Sequence, residues 1–435
     1  MIIRLVSLLA ALALSVGLVT PTVAQDVNMN KQTSEMSAIA ERSQQVVDLI
    51  NGELDAPLED VFTPEFLAAV PPAQLQAISG QLTGQFGRAV AIEKLEPADG
   101  VRSALEVRME RAIAKGGIAI DTSQGNRISE LLFQTFDPID DSVEKISADL
   151  EALPGEVSAY FGPLDGNTPT ISVNPDEQFA IGSTFKLYVL AALGAEIKEG
   201  KRSWDDVVPL TVKSYPSGMM QDWPEGAPVT LQTLASMMIS ISDNTATDQL
   251  ISEIGRETVF ETLEATGHSD PRLNEPFLTT REMFLLKSGD PSWITAYSNG
   301  DADARAAILK ELRRAEVSVE KIRQAFSGGP VAIDIEWFAN ASDLAALFEF
   351  MRANCDPGVF DIMAINPSMS SDTKAQWSYA GYKGGSEPGV LNLTWLLTDA
   401  AGEDHLLALS WNNPEATLDQ TAFELIAQRI LSLPR

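Results

Sequence analysis

The sequence predicts an α+β protein of two domains: a small cone of helices and strands, then a larger antiparallel sheet sandwiched by helices. Apolar residues recur at helical spacing through residues 30–86 and alternate with a period of two through residues 88–136, which is typical of helices followed by antiparallel strands. Beyond residue 141, two early and three late strands flank a long helical middle, so we expect the early strands to pair with the late ones. A chain of 435 residues is long enough for both domains.

The first domain is predicted to span residues 25–140. Its strands are expected over residues 88–96, 101–114, 117–121 and 127–136, with a hairpin turn at Lys115-Gly116-Gly117. Helices followed by a curved sheet resemble the NTF2-like or cystatin-like folds, which host enzymes and binding modules alike. Because this stretch contains no convergent set of polar residues, a stabilising role or a protein or cell-wall partner is expected for it.

Residues 1–24 are predicted to be a cleaved secretory signal peptide. Arg4 precedes an almost wholly apolar run over residues 5–19, and Thr22, Val23 and Ala24 are the small residues before the cleavage site. The alternative is a membrane anchor, but the run is shorter than the roughly 18 residues that a span needs. The mature chain is therefore expected to be periplasmic or secreted, without a stable membrane anchor.

The composition argues against several classes of function. The formal net charge is -30, and a strongly acidic chain disfavours binding to nucleic acid or anionic lipid. Cys355 is the single cysteine, so no intrachain disulfide can form. The sequence has neither a His/Cys cluster with metal-ligand spacing nor a Gly-rich phosphate loop, so no metal and no nucleotide cofactor is expected.

A candidate nucleophile, Ser183, stands three residues before Lys186 at the head of a long apolar run. If the run is helical, the two side chains meet one turn apart. A lysine among apolar neighbours loses hydration, which lowers its pKa, and a neutral amine can take a proton from serine. The S-x-x-K spacing recurs at three serines outside buried helices, namely Ser142, Ser318 and Ser371. Ser183 is therefore the predicted nucleophile.

Two further motifs follow in chain order. Ser242-Asp243-Asn244 occurs once, after an apolar helix, and by itself could equally cap the next helix. Lys383-Gly384-Gly385 follows a strand predicted over residues 377–382. S-x-x-K on a buried helix, then S-D-N, then K-[TSG]-G on a late strand resembles the signature of class A β-lactamases and penicillin-binding proteins. The resemblance covers residues 141–435 and implies the fold of the β-lactamase/DD-peptidase superfamily, here preceded by the cone.

The resemblance also implies roles for individual residues. Ser183 would be the nucleophile, and Lys186 its base or a proton relay. Ser242 would pass a proton to the leaving group, and Lys383 would hold Ser242 and attract a substrate carboxylate.

Four further residues would contact the substrate. Asn244 would hydrogen-bond the acyl-amide group of the substrate. The backbone N–H groups of Ser183 and Ser386 would form the oxyanion hole, and Gly384 with Gly385 would let substrate lie flat along the strand edge.

The sequence departs from the family pattern in two places that bear on chemistry. Gly384 stands where threonine or serine is commoner, which removes a hydroxyl. Class A enzymes also carry an E-x-x-x-N loop that positions the water for deacylation, and the nearest match after Asn244 runs from Asp270 to Asn274. Asp270 is one methylene shorter than glutamate, so it is the expected but impaired base; the alternative is that it only caps the turn before Pro271.

The predicted function is an exported serine hydrolase that forms an acyl-enzyme, with weak β-lactam hydrolysis and slow deacylation. Its expected substrate is a small-molecule β-lactam, ester or D-alanyl peptide. The alternatives are an esterase, a D-alanyl-D-alanine peptidase-like enzyme, or a non-catalytic protein that binds β-lactam or peptidoglycan.

Overall fold

The computed structural model describes residues 23–139, 141–312, 315 and 318–433, with side chains from residue 35 onwards. The chain divides into two compact units, Met1–Asp140 and Asp141–Arg435. The predicted signal peptide lies outside the described residues apart from its last two positions. No helix in the described part of the chain is long and apolar enough to cross a membrane.

The N-terminal unit consists of helices followed by an antiparallel sheet whose strands pair in chain order. Thr63 caps the third helix by accepting a hydrogen bond from the Phe66 N–H, and Pro64 occupies the first turn. The helices are α1 (Val23–Ile50), α2 (Leu58–Val61), α3 (Pro64–Ala69) and α4 (Pro72–Phe86). The strands are β1 (Ala89–Pro97), β2 (Arg102–Met109), β3 (Ala112–Asp121) and β4 (Arg127–Pro138).

The predicted hairpin turn at Lys115-Gly116-Gly117 is wrong, because these residues lie inside β3. The pairing of β3 with β4 shifts register between Lys115 and Gly116. A Cβ on Gly116 would stand 1.8 Å from the carbonyl oxygen of Leu132. The glycine thus marks an irregular strand with a close backbone neighbour, and the chain turns instead between β2 and β3.

The C-terminal unit is built on an antiparallel sheet with the strand order β11-β12-β13-β5-β6. β5 pairs with β13, so the predicted pairing of early with late strands is confirmed. Successive residues of β12 face opposite sides: Leu396 joins the large apolar core under the central helices, whereas Trp395 and Leu397 join the core beneath α5 and α17. Helices therefore cover both faces of the sheet, and the predicted α+β sandwich is confirmed.

The strands of this unit are β5 (Glu156–Pro163), β6 (Ile171–Val173), β7 (Phe179–Ala180), β8 (Val207–Pro209), β9 (Pro228–Thr230), β10 (Phe338–Ala339), β11 (Tyr379–Glu387), β12 (Val390–Thr398) and β13 (Asp404–Asn412). Its helices are α5 (Val143–Glu151), α6 (Lys186–Lys198), α7 (Leu231–Ser240), α8 (Asn244–Ile254), α9 (Arg256–Ala265), α10 (Thr280–Ser288), α11 (Pro291–Ser298), α12 (Ala302–Leu312), α13 (Val319–Ser327), α14 (Ala341–Asn354), α15 (Gly358–Met363), α16 (Ser371–Lys374) and α17 (Gln420–Leu431). Two small pairs, β7 with β10 and β8 with β9, lie outside the main sheet.

Candidate active site

Ser183 lies in a tight 3-10 turn, Gly182–Phe185, that leads directly into α6. Side chains at i and i+3 eclipse each other in a 3-10 turn, so Ser183 and Lys186 project from the same side. Every residue from Lys186 to Gly194 is buried, which confirms the prediction that this helix is enclosed on nearly all sides.

Lys186 is completely buried and surrounded by hydrogen-bond acceptors. Its Nζ donates to the Ser242 carbonyl oxygen at 2.8 Å, to Ser242 Oγ at 3.1 Å and to Asn244 Oδ1 at 2.7 Å. Burial lowers the pKa of Lys186 to about 7, although the carboxylates of Asp248 and Asp243 act in the opposite direction. A large fraction of the amine is therefore neutral at neutral pH and can accept a proton.

Ser242 sits at the junction of α7 and α8 in a left-handed conformation, with φ at 58°, which is costly for a residue with a side chain. Its Oγ accepts hydrogen bonds from both Lys186 Nζ and Lys383 Nζ, each at 3.1 Å. The neighbouring Asp243 caps α8 through the Ala246 N–H. Both interpretations of the motif therefore hold: the aspartate is a helix cap, and the serine joins two lysines.

β11 runs through Lys383-Gly384-Gly385 up to Glu387, so the motif lies on a late strand as predicted, whereas the predicted end of that strand at residue 382 is wrong. The strand continues because it pairs with β12 through a tight hairpin as far as Glu387 and Val390. A Cβ on Gly385 would lie 2.4 Å from the Ser183 backbone nitrogen. Only glycine permits this approach, which brings the strand edge against the Ser183 turn.

Lys383 is almost wholly buried, and its Nζ also donates to the carbonyl oxygen of Gly384. Burial, together with the nearby Lys186, lowers the pKa of Lys383 well below its ordinary value. At Gly384, where the family pattern favours a hydroxyl residue, a Cβ would stand 2.1 Å from the Tyr382 hydroxyl. The tyrosine thus gives a steric reason for the departure from the family pattern.

A cavity of about 360 Å³, which we call the Ser183 cavity, opens beside these residues. Seven of the eight predicted site residues are at this place: Ser183, Ser242, Asn244, Lys383, Gly385 and Ser386 line it, and Lys186 lies behind its wall. The structure does not bring Asp270 to the lining. The Asp270 side chain is 41% exposed and pairs with Arg272 at 3.5 Å, because the 3-10 turn Pro271–Asn274 directs it away.

Among the described residues, the carboxylates that line the Ser183 cavity are instead Glu336 and Glu387, neither of which was predicted from the sequence. Lys287 Nζ lies 3.3 Å from Glu336 Oε1 and 2.5 Å from Glu387 Oε1. A signal existed for Glu387, since it stands four residues after Lys383 and side chains two or four apart share one face of a strand. No local pattern places Glu336 beside it.

Glu336 and Asn340 also have the E-x-x-x-N spacing, although they lie more than 60 residues after Asp270. Asn340 does not accompany Glu336 into the cavity. Its side chain accepts from the Asp343 N–H to cap α14, and its amide donates to the Asp176 carbonyl oxygen and to Ser269 Oγ. Of these two residues, Glu336 therefore lines the cavity, whereas Asn340 caps a helix.

The other S-x-x-K serines have structural roles. The Ser142 and Ser318 hydroxyls cap helices by accepting from the N–H groups of Lys145 and Lys321. Ser371 opens the short helix α16 after its cap, Ser370. None of the three lines the Ser183 cavity.

Three potential metal ligands, Asp399, Glu403 and His405, come within 4.8 Å of one another at the β12–β13 turn. Asp399 already accepts hydrogen bonds from the backbone N–H groups of Ala401 and Glu403. The cluster stabilises this turn, and none of its members lines the Ser183 cavity.

The C-terminal unit is similar to known proteins. Residues 141–321 match the model of the β-lactamase enzyme family. A search of curated protein sequences found no match. Similar solved structures include a β-lactamase from Sphaerobacter thermophilus, at 22% identity over 67% of this chain and 94% of that one, with a TM-score of 0.46.

Two further solved structures are similar at lower identity. The protein PBP-A is 16% identical over 67% of this chain and 95% of its own, with a TM-score of 0.44. A β-lactamase from Chitinophaga pinensis is 14% identical over 66% and 96%, with a TM-score of 0.45. The family match includes Ser183, Lys186 and Ser242, so over residues 141–321 the C-terminal unit is similar to the serine β-lactamase superfamily.

Proposed function

We propose that this protein is a serine hydrolase in which Ser183 forms an acyl-enzyme with small β-lactam, ester or D-alanyl peptide substrates. The observation that carries the proposal is the position of Ser242 Oγ, which lies 3.1 Å from both Lys186 Nζ and Lys383 Nζ beside the cavity that Ser183 lines. A half-buried hydroxyl between two buried amines of lowered pKa is suited to moving protons rather than to stabilising a fold.

In the proposed acylation, neutral Lys186 accepts the Ser183 hydroxyl proton as Oγ attacks the substrate carbonyl carbon. The N–H groups of Ser183 and Ser386 hold the oxyanion that forms. The carbon–nitrogen or carbon–oxygen bond then breaks, and Ser242 donates its proton to the leaving atom. Ser242 regains a proton from the lysines that donate hydrogen bonds to it.

Release of the acyl group is proposed to be slow. Attack by water on the ester needs a base beside the ester, and the Asp270 carboxylate lies outside the cavity lining. Two carboxylates that do line it share the ammonium of Lys287. Burial raises the pKa of Glu387 to about 8, so near neutral pH this carboxyl is mostly protonated and cannot take a proton from water. Weak β-lactam turnover with a long-lived adduct is the expected behaviour.

Replacement of the nucleophile tests the proposal. Ser183→Ala is expected to abolish labelling by a fluorescent penicillin, and Lys186→Ala to slow labelling by about a hundred- to ten-thousand-fold. Mass spectrometry of the intact protein measures the adduct. The matched control is Ser318→Ala, which removes a serine of the same S-x-x-K spacing and should label normally.

Two results would contradict the proposal. Undiminished ester hydrolysis by Ser183→Ala would place the chemistry elsewhere. Absence of any adduct on the unaltered protein would favour the alternative, a non-catalytic binding protein.

We further propose that the chain is exported to the periplasm or secreted, on the basis of residues 1–24. N-terminal sequencing of the protein recovered from the periplasm or medium is expected to begin at Gln25. An intact N-terminus on cytoplasmic protein would contradict export.

A further inference from the structure

One end of the Ser183 cavity carries a buried cluster of three charged side chains. Lys287 and Glu336 are 0% exposed, and Glu387 is 5% exposed. When both carboxylates are ionised, one ammonium faces two negative charges, so the cluster has a net charge of about −1 that burial makes costly. The proposed acylation uses none of these three groups.

Glu387 is only partly satisfied. Its Oε1 accepts from Lys287 Nζ at 2.5 Å, whereas Oε2 is buried and has no hydrogen-bond partner among the described residues. Burial raises the pKa of Glu387 to about 8, the charge of Glu336 adds to the effect, and Lys287 opposes it. At neutral pH a proton on Glu387 therefore neutralises the excess negative charge of the cluster.

The strand places this carboxylate relative to the reaction centre. Lys383, Gly385 and Glu387 share one face of β11, because alternate residues of a strand do. Gly385 abuts the Ser183 backbone. At about 3.3 Å per residue, Glu387 lies roughly 7 Å beyond Gly385, and Lys383 the same distance on the other side. Amines thus flank the nucleophile on one side and carboxylates on the other.

We propose that Glu387, supported by Glu336 and Lys287, is a subsite for a protonated amine on the acyl side of the substrate. This inference rests on the proposed function, and it specifies the substrate class: molecules with a carboxylate near Lys383 and an ammonium group near Glu387. The ammonium supplies the positive charge and hydrogen-bond donors that Glu387 lacks. It thereby takes the place of the proton that the cluster otherwise binds.

A pair of penicillins that differ at one position tests the subsite. Ampicillin carries an amine on the acyl side chain where benzylpenicillin carries hydrogen, and at pH 6.5 an amine of this type is mostly protonated. We expect ampicillin to acylate the full-length protein about tenfold to a hundredfold more efficiently, which is the contribution of a hydrogen bond to a charged group. Glu387→Gln should bring the ratio of the two rates close to one.

The matched control is Glu349→Gln, which removes the same charge from an exposed position on α14 and should keep the ratio of the unaltered protein. Equal rates for the two penicillins on the unaltered protein would overturn the inference without recourse to any variant. The inference would also be overturned if Glu387→Gln keeps the ratio of the two acylation rates but releases both acyl groups more slowly. The cluster would then assist the attack of water in deacylation instead of binding the amine.

A binding measurement tests recognition of the amine separately from acylation of Ser183. Calorimetric titration of Ser183→Ala with each penicillin reports recognition without acylation. Tighter binding of ampicillin, lost on further replacement of Glu387 by glutamine, would support the subsite even if the unaltered protein forms no adduct. Equal binding would overturn the subsite even if the acyl-enzyme forms.

Discussion

At the scale of single residues, the proposed chemistry depends on the charge state of Lys186. Because burial lowers its pKa to about 7, the neutral form that can accept the Ser183 proton is half populated near that pH and grows above it. We predict that the acylation rate falls about tenfold per pH unit below this midpoint and levels off above it. Stopped-flow acylation by a penicillin between pH 5 and 9 measures the profile; a rate independent of pH would contradict the role of the amine.

Asp270 offers a second test at this scale. Its side chain faces Arg272 rather than the Ser183 cavity, so Asp270→Ala should leave the deacylation rate unchanged within about twofold. Lengthening by Asp270→Glu should have equally little effect. The rate of loss of the adduct, followed by mass spectrometry, checks both variants. A release rate changed tenfold by either would mean that the loop brings Asp270 inward after acylation.

At the scale of elements, the contact between β11 and the Ser183 turn brings together the two backbone N–H groups that we propose as oxyanion donors. A Cβ at position 385 would meet the backbone at both Ile181 and Ser183, and backbone cannot swing aside. We predict that Gly385→Ala folds with a loss of about 1–3 kcal/mol and acylates at least about a hundredfold more slowly, since a shift of roughly 1 Å in reacting groups costs that much.

Gly328→Ala is the matched control for this element. A Cβ at position 328 meets nothing within 4 Å, and the residue caps α13 with a φ of −92°, which any residue can adopt. The melting temperature and the acylation rate of this variant should match those of the unaltered protein. An unimpaired Gly385→Ala would show that the strand edge is not part of the site.

At the scale of the whole molecule, the C-terminal unit has its own core. Both apolar clusters of this unit, on the two faces of its sheet, draw their members from residues 146–433. Arg429 of α17 pairs with Asp141 and Asp149 at 2.6 Å each, which ties the start of the unit to its last helix. We predict that a chain of residues 139–435 folds and acylates at the full-length rate.

Thermal unfolding and penicillin labelling of the truncated chain check this prediction. A folded, monodisperse truncation that has lost acylation would show that the N-terminal unit contributes to the site. The role of the N-terminal unit as a stabilising or partner-binding domain stays a prediction.

The order of helical and strand-like stretches along the sequence predicted most of the fold. Alternating apolar residues predicted the strands of the N-terminal unit, because a half-buried strand must alternate. The strands β5, β12 and β13 of the C-terminal unit are instead nearly continuous buried runs, because helices cover both faces of their sheet. Boundaries near glycines were predicted less well. Gly116 was predicted to lie in a turn, and the strand before Gly385 was predicted to end at residue 382, but both glycines lie inside strands. Another backbone comes close to each of them, and such an approach depends on a neighbour distant in sequence.

The sequence by itself determined the candidate nucleophile Ser183, Lys186 and the two motifs that meet them, because each is a short pattern whose local geometry is set by one helix or one strand. Only the tertiary structure decided which carboxylates face the reaction centre. Asp270 matched by position but lies on an outward turn, whereas Glu336 and Glu387 come from segments about 50 residues apart and meet across Lys287. A buried charge is placed by the packing that compensates it, and packing joins residues that no local pattern connects.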